Sequence, residues 1–168
     1  TFPQTDRFTD VAFDTQYQYQ GPNYWITLRG TYIHEKQTLD ASSNVNNGPL
    51  SANPTNTLNT LRAYASLAYG SDNRIVLTGQ YFDTWGSADP LLYAALNSCQ
   101  APNTTCNPNS NGFIAEVAYI PFSSSRAPFW PWANMRLGAQ YTYYNKFDGD
   151  TVHAHDNNTL FVYAWFAL

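Results

Sequence analysis

Residues 133–146 read ANMRLGAQYTYYNK, and the alternation of side chains along this stretch decides the fold. Successive side chains of a β-strand point to opposite faces. One face carries Met135, Leu137, Ala139, Tyr141 and Tyr143. The other face carries Asn134, Arg136, Gly138, Gln140, Thr142 and Tyr144. A period of two over this length predicts a long strand with one apolar and one polar face.

The same period recurs along the chain and predicts seven strands, whereas the helical period is almost absent. The predicted strands cover residues 8–19, 24–36, 58–69, 74–84, 112–120, 133–146 and 158–168. Most of them reach the roughly 9–11 residues that a tilted strand needs to cross a membrane. The sequence therefore predicts an all-β fold of antiparallel strands.

The composition favours a membrane barrel over a soluble β-sandwich. Charged residues make up 12% of the chain, compared with about 25% in typical soluble domains. Aromatic residues make up 17%, and membrane barrels need aromatic side chains at both of their interfaces. The net charge of −4 argues against a nucleic-acid partner, because phosphate binding needs a surplus of Lys and Arg.

The predicted connections alternate between short and long. Tight hairpin turns are expected at residues 21–22 and 70–73, and a connection of middling length at 121–132. Long polar stretches at 38–57, 86–111 and 147–157 are expected to be external loops. Short turns at one end and long loops at the other are typical of bacterial outer-membrane barrels.

The last predicted strand ends on alternating apolar residues, a pattern that resembles the signal by which bacterial barrels are recognised for insertion. Its final residue is Leu168, where that pattern prefers Phe. We therefore expect residues 1–168 to form a single transmembrane, up-and-down β-barrel domain in contact with outer-membrane lipid. Because bacterial barrels have even strand numbers, seven strands suggest the C-terminal portion of a larger barrel.

Three stretches resemble the barrel portion of outer-membrane cytochrome–porin fusion proteins. They are FTDVAFDTQYQY at 8–19, TLRGTYIHEKQ at 27–37 and DNNTL at 156–160. The resemblance implies electron transfer across the outer membrane, with a haem held inside the pore. Covalent haem attachment needs a Cys-x-x-Cys-His motif, which this sequence lacks. We therefore expect no cofactor in this chain, and any haem to lie on a further N-terminal segment or on a periplasmic or haem-bearing partner.

Eight polar side chains are expected to line the barrel lumen, where they would set selectivity or fill the interior. They are Asp14, Arg29, Arg62, Arg74, Gln80, Glu116, Arg136 and Gln140. An arginine facing lipid near the midplane would cost roughly 2–4 kcal/mol, so the arginines are placed inside. Two interpretations of these arginines stay open. They form a row that selects anionic solutes or binds a partner segment, or they belong to an interior network of ion pairs. Inward-facing aromatics (Trp25, Tyr64, Tyr144, Phe161, Tyr163 and Trp165) suggest a plugged or ligand-holding lumen.

Cys99 and Cys106 fall in the longest predicted loop. An outward-facing loop is in an oxidising environment, where disulfides persist, so we predict a disulfide; two free thiols or a metal pair are the alternatives. His153 and His155 are weak metal candidates, because two imidazoles at this spacing share one side of an extended segment. A solvated polar loop is the simpler interpretation, and no metal site is predicted.

The sequence contains no recognisable enzyme motif. There is no Gly-x-Ser-x-Gly elbow and no phosphate-binding glycine loop. We therefore expect a non-enzymatic, porin-like barrel that passes solutes passively or houses an electron-transfer haem segment. The alternative from another class is a soluble β-sandwich module that binds carbohydrate or another ligand through exposed Trp and Tyr. An outer-membrane enzyme completed by a further region is a third possibility.

Overall fold

The structure is a computed structural model that describes residues 4–44, 48–70, 72, 74–99, 105–123 and 132–167. Seven strands are present: β1 (Arg7–Gln20), β2 (Tyr24–Thr38), β3 (Thr55–Tyr69), β4 (Ile75–Gly86), β5 (Ser110–Tyr119), β6 (Asn134–Lys146) and β7 (Thr159–Ala167). The predicted all-β fold is confirmed, and every predicted strand corresponds to an observed one. Leu168, the terminal residue of the predicted insertion signal, lies outside the described residues.

The seven strands form one antiparallel sheet in the order β1-β2-β3-β4-β5-β6-β7, so each strand pairs with the next along the chain. The sheet is open, and the described strands do not close into the barrel of which the sequence predicts them to be a portion. The physical reason is strand direction. In a seven-stranded meander the first and last strands run the same way, so β1 and β7 cannot complete an antiparallel barrel by pairing with each other.

Helical structure in the described residues is limited to short 3₁₀ turns, including Asn97–Cys99 and Ala154–Asn157. Both lie in connections and outside the sheet. No helix in the described part of the chain is long and apolar enough to cross a membrane.

The connections divide between the two ends of the sheet. Residues 39–54, 87–109 and 147–158 join strands at one end, and we call these connections together the loop layer. Residues 21–23, 70–74 and 120–133 join strands at the other end, which we call the turn end. At the turn end, Gly70 adopts a φ of 103°, which glycine reaches without steric cost.

Most of the buried side chains in the described residues lie in or next to the loop layer. They include Leu39, Ser51, Asn56, Asp89, Ser98, Cys106, Asp150 and Ala154. The sheet contributes few, and β1 is exposed at every residue. The packed interior of the described chain therefore lies over one end of the sheet, and the two sheet faces stay largely uncovered.

Candidate functional site: the two faces of the sheet

The strand register places the predicted site residues on one face. Residues directly opposite each other in an antiparallel pair share a face. Asp14 is opposite Thr31, and Thr31 is opposite Arg62. Continued across the sheet, the register collects Asp14, Arg29, Arg62, Gln80, Glu116, Arg136 and Gln140. We call this side the polar face.

Arg74, the eighth predicted residue, lies just before β4 at the turn end. Its Nη2 donates to the carboxylate of Asp72 at 2.9 Å. The structure therefore places Arg74 at the margin of the sheet, apart from the other arginines.

The opposite side, which we call the apolar face, is lined by large hydrophobic side chains from all seven strands. They include Val11, Phe13, Leu28, Leu61, Leu77, Val117, Leu137, Leu160, Val162 and Phe166. Val162 is 70% exposed and Phe13 is 68% exposed. Soluble monomers rarely expose a continuous apolar patch of more than a few hundred Å². The apolar side chains of this face are exposed and uncovered within the described part of the chain.

Aromatic side chains mark both margins of the apolar face. Towards the turn end, Tyr24 is opposite Tyr69, and its ring centroid is 5.9 Å from that of Tyr19. Towards the loop layer, the rings of Tyr81 and Phe113 are 5.3 Å apart. On β2, Tyr24 and Tyr32 are separated by eight residues, or about 26 Å along the strand, which is roughly 20 Å of height at a strand tilt of about 40°. Aromatic girdles flank an apolar band about 25 Å tall in outer-membrane barrels.

Arg136 is held in a compact polar cluster on the polar face. Its Nη2 forms an ion pair with Glu116, and its Nε donates to the Tyr163 hydroxyl at 2.9 Å. That hydroxyl donates to Oε1 of Glu116 at 3.0 Å. Gly138 is opposite Tyr163, and a Cβ at position 138 would overlap the tyrosine ring. The absence of a side chain at Gly138 lets the ring lie across β6 and reach both partners.

Arg29 and Arg62 differ from Arg136, because neither makes a hydrogen bond or an ion pair within the described residues. Both line an open pocket of about 140 Å³, together with Thr31, Tyr64 and Gln80. The arginines of the polar face therefore differ: Arg136 belongs to an ion-pair network, whereas Arg29 and Arg62 have no such partner within the described residues.

Aromatic side chains also cover part of the polar face. The rings of Phe161 and Tyr163 are stacked at 5.6 Å, and Phe82 meets Tyr144 edge-on at 5.4 Å. Tyr144, Phe161 and Tyr163 were among the aromatics predicted to face inward, whereas Phe82 was not. The signal was present, since Phe82 continues the alternation of Val76, Thr78 and Gln80 on β4.

The predicted disulfide is confirmed. Cys99 and Cys106 are bonded, with their Cα atoms 4.3 Å apart, so neither free thiols nor a metal pair occur here. The bond closes a short loop whose residues 100–104 lie outside the described part of the chain. It links two described parts of the connection between β4 and β5 at the loop end of the sheet.

Asp89 organises the loop layer, and sequence reasoning did not find it. Its buried carboxylate accepts hydrogen bonds from the side chains of Ser51 and Asn56 and from backbone amides that include Leu92 at 3.0 Å. Burial acts to raise the pKa of Asp89, but these hydrogen bonds outweigh burial and hold that pKa well below its usual range. The Asp-Pro pair at 89–90 was an available signal, because Asp side chains cap turns of this kind.

Further hydrogen bonds join the loops into one layer. Asp6 accepts from the amides of Ala41 at 2.9 Å and Ser42 at 3.1 Å, and these bonds hold the pKa of Asp6 below its usual value. The amide of Gly149 donates to the Asn109 carbonyl at 2.7 Å. Each long connection is therefore bonded to a neighbour, and the layer stands as a unit at one end of the sheet.

The two candidate metal histidines bind different partners. Nδ1 of His153 lies 2.9 Å from the Asp150 carboxylate, which raises the pKa of His153. The ring of His155 stacks on Tyr143 at 4.9 Å, and its Nδ1 lies 2.9 Å from the Tyr144 carbonyl. Within the described residues, no group of three or more His, Cys, Asp or Glu side chains converges in a way that could hold a metal ion.

No protein-family model matches this chain, and no match was found among curated proteins or among solved structures. The resemblance to cytochrome–porin fusions therefore depends on the quoted stretches alone. A functional assignment has to be argued from the chemistry of the two faces and of the loop layer.

Proposed function

We propose that this chain forms part of a porin-like β-barrel in the bacterial outer membrane. The observation that carries the proposal is the exposed apolar face, which crosses all seven strands and is bordered by aromatic side chains. In the proposed barrel the apolar face contacts lipid and the polar face lines the interior. The role is passive: the interior passes solutes, and no chemical step is assigned to this chain.

The soluble sandwich is less consistent with this arrangement. A sandwich buries its apolar face against a second sheet about 10 Å away. All seven described strands belong to one sheet, and no second layer covers the apolar face among the described residues. A soluble module would leave this apolar surface in water.

Completion of the barrel requires further strands. Because β1 and β7 run in the same direction, an antiparallel barrel forms only when an odd number of additional strands lies between them. An odd addition also gives the even total that bacterial barrels have. These strands come from elsewhere in the same protein or from a second chain, and they pair with the exposed backbone edge of β1 and of β7.

The loop layer fits one mouth of such a barrel. In outer-membrane barrels the long loops are external and the short turns are periplasmic. The bonds centred on Asp6 and Asp89 would hold the loops in place across part of the opening. The mouth would then restrict solutes by a fixed shape, while the polar face below contacts those that enter.

A second candidate role is the housing of a haem-bearing segment, and the aromatic side chains of the polar face favour it. Phe82, Tyr144, Phe161 and Tyr163 offer packing surface that an open aqueous pore does not need. The polar face carries no His, Met or Cys on the described strands, so these residues do not supply the usual axial ligands. A haem in this interior would bring its ligands on another segment.

The test is extraction of the protein from bacterial membranes, followed by intact mass and absorbance spectroscopy. The proposal expects release from the outer membrane only with detergent, and a folded form in detergent that resists unfolding until it is heated. A Soret band in the purified protein would support the haem-housing role, and its absence would leave the solute conduit. Recovery of the folded protein in aqueous buffer without detergent would contradict the barrel.

A further inference from the structure

We infer that Arg29 and Arg62 form a binding site for an oxyanion, meaning the carboxylate or phosphate group of a soluble solute. Tyr64 and Gln80 line the same pocket and can supply further donors, whereas the hydroxyl of Thr31, which also lines it, already donates to Asp14. The inference rests on the proposed function and deepens it, because it names the chemical class of the solute that the barrel interior contacts.

The two arginines are diagonal neighbours on adjacent strands. Arg29 of β2 is opposite Tyr64 of β3, and Arg62 of β3 is opposite Thr31 of β2. Diagonal neighbours have Cα atoms about 7–8 Å apart and are within reach of long side chains. Both arginines line the same pocket of about 140 Å³. This volume suits a single carboxylate or phosphate group.

The nearby carboxylates do not neutralise this pair. Asp14, the nearest acid in the register, accepts a hydrogen bond from Thr31, and no ion pair joins it to either arginine. Glu116 is engaged by Arg136. Asp10 and Glu35 face each other four residues nearer the loop layer, about 13 Å along the strands. Asp14 is itself a diagonal neighbour of Arg29, but within the described residues no carboxylate lies within ion-pair distance of either arginine.

Two neighbouring like charges on one sheet face destabilise each other, and an oxyanion between them removes that repulsion. Guanidinium groups present planar pairs of N–H donors that match the oxygens of carboxylate and phosphate. Lipid headgroups are a second source of phosphate. The arginines project from the face opposite to the apolar one, so the structure favours a soluble anion over a headgroup.

The test is isothermal titration of the detergent-solubilised protein in neutral maltoside micelles with inorganic phosphate and with citrate at low ionic strength. The double variant Arg29→Gln/Arg62→Gln removes the site. The control Arg7→Gln/Lys36→Gln removes the same charge from positions outside the polar face. We expect the unmodified protein and the control to bind the anions with the same affinity. The double variant should bind them at least about tenfold more weakly.

Equal weakening in the control would assign the effect to net charge and overturn the site. Binding that persists in Arg29→Gln/Arg62→Gln, or no binding by the unmodified protein, would also overturn it. If phosphatidylglycerol added to the micelles competes with phosphate and citrate for binding, the arginines bind a lipid headgroup. That result would contradict the inference. Reconstitution of the same preparation into liposomes separates the two proposals. Insertion into the bilayer without anion binding would contradict only the oxyanion site. Anion binding without insertion would contradict the membrane barrel.

Discussion

At the scale of single residues, the clearest relation between sequence and structure is that of Gly138 and Tyr163. The tyrosine ring covers the glycine and brings its hydroxyl to both Arg136 and Glu116. Coverage of a strand glycine by a cross-strand aromatic ring is a known way to stabilise a sheet. The charged pair on the polar face therefore depends on a residue that has no side chain.

Gly138→Ala tests this dependence. The added methyl group displaces the Tyr163 ring, and we expect the folded protein in detergent to lose about 2–3 kcal/mol of stability, since two hydrogen bonds to charged groups are disturbed. Gly79→Ala is the matched control, because a Cβ at Gly79 meets nothing within 4 Å. Urea unfolding followed by tryptophan fluorescence measures both. Equal effects of the two substitutions would contradict the account of Tyr163.

Asp89→Asn tests the hub of the loop layer. The amide cannot accept all the hydrogen bonds that the carboxylate accepts from Ser51, Ala52 and Leu92. We expect the local opening free energy to fall by about 2 kcal/mol, or roughly thirtyfold in amide-exchange protection at Ala52 and Leu92. Asp40→Asn is the control, since it removes a carboxylate whose ion pair with Arg7, at 3.6 Å, is exposed. Unchanged protection in Asp89→Asn would refute the role of this carboxylate.

The lowered pKa of Asp89 also gives the loop layer a pH dependence. The folded-state pKa lies below the unfolded value of about 3.9, so ionised Asp89 stabilises the layer above that pH. The contribution is lost as the pH falls from about 4 through the folded-state pKa. Protection factors at Leu92 should therefore decline below about pH 4, and should decline less in Asp89→Asn.

At the scale of secondary structure, the strands could be predicted because a period of two persists over nine residues or more in each. The observed strands β2 and β3 are longer than predicted, at 24–38 and 55–69. Their added residues, such as Asn56 and Gln37, are polar and buried under the loop layer. Periodicity cannot reveal them, because their burial comes from loops that the alternation does not describe.

Substitution of adjacent residues on β2 tests the assignment of the two faces. Leu28 lies at the middle of the apolar face, and Thr27 lies on the polar face. Arginine at position 28 would face the bilayer midplane, so Leu28→Arg should destabilise the lipid-inserted protein by roughly 2–4 kcal/mol. Thr27→Arg should cost much less, because its side chain stays in the interior. Unfolding in lipid vesicles measures both, and a larger cost for Thr27→Arg would reverse the assignment of the faces.

At the scale of the whole molecule, the sequence predicts strand order and the separation of long from short connections, but not a closed barrel. The odd strand number was visible from the sequence, and the open edges of β1 and β7 are its geometric consequence. The pairing of particular side chains was not predictable. Arg136 meets Glu116, whereas Arg29 and Arg62 have no ion-pair partner within the described residues. This difference depends on the register between neighbouring strands along the whole sheet, which composition and parity do not fix.

The central claim is that one face of the sheet contacts lipid and the other contacts water. Spin labels on single cysteines introduced along 75–82 test it most directly, by power-saturation accessibility to oxygen and to a water-soluble nickel reagent in lipid vesicles. The native cysteines form a disulfide, so without reductant the label attaches to the introduced thiol. We expect Leu77→Cys to favour oxygen, Thr78→Cys to favour nickel, and the preference to alternate along β4. Equal nickel accessibility on both faces would contradict the membrane barrel.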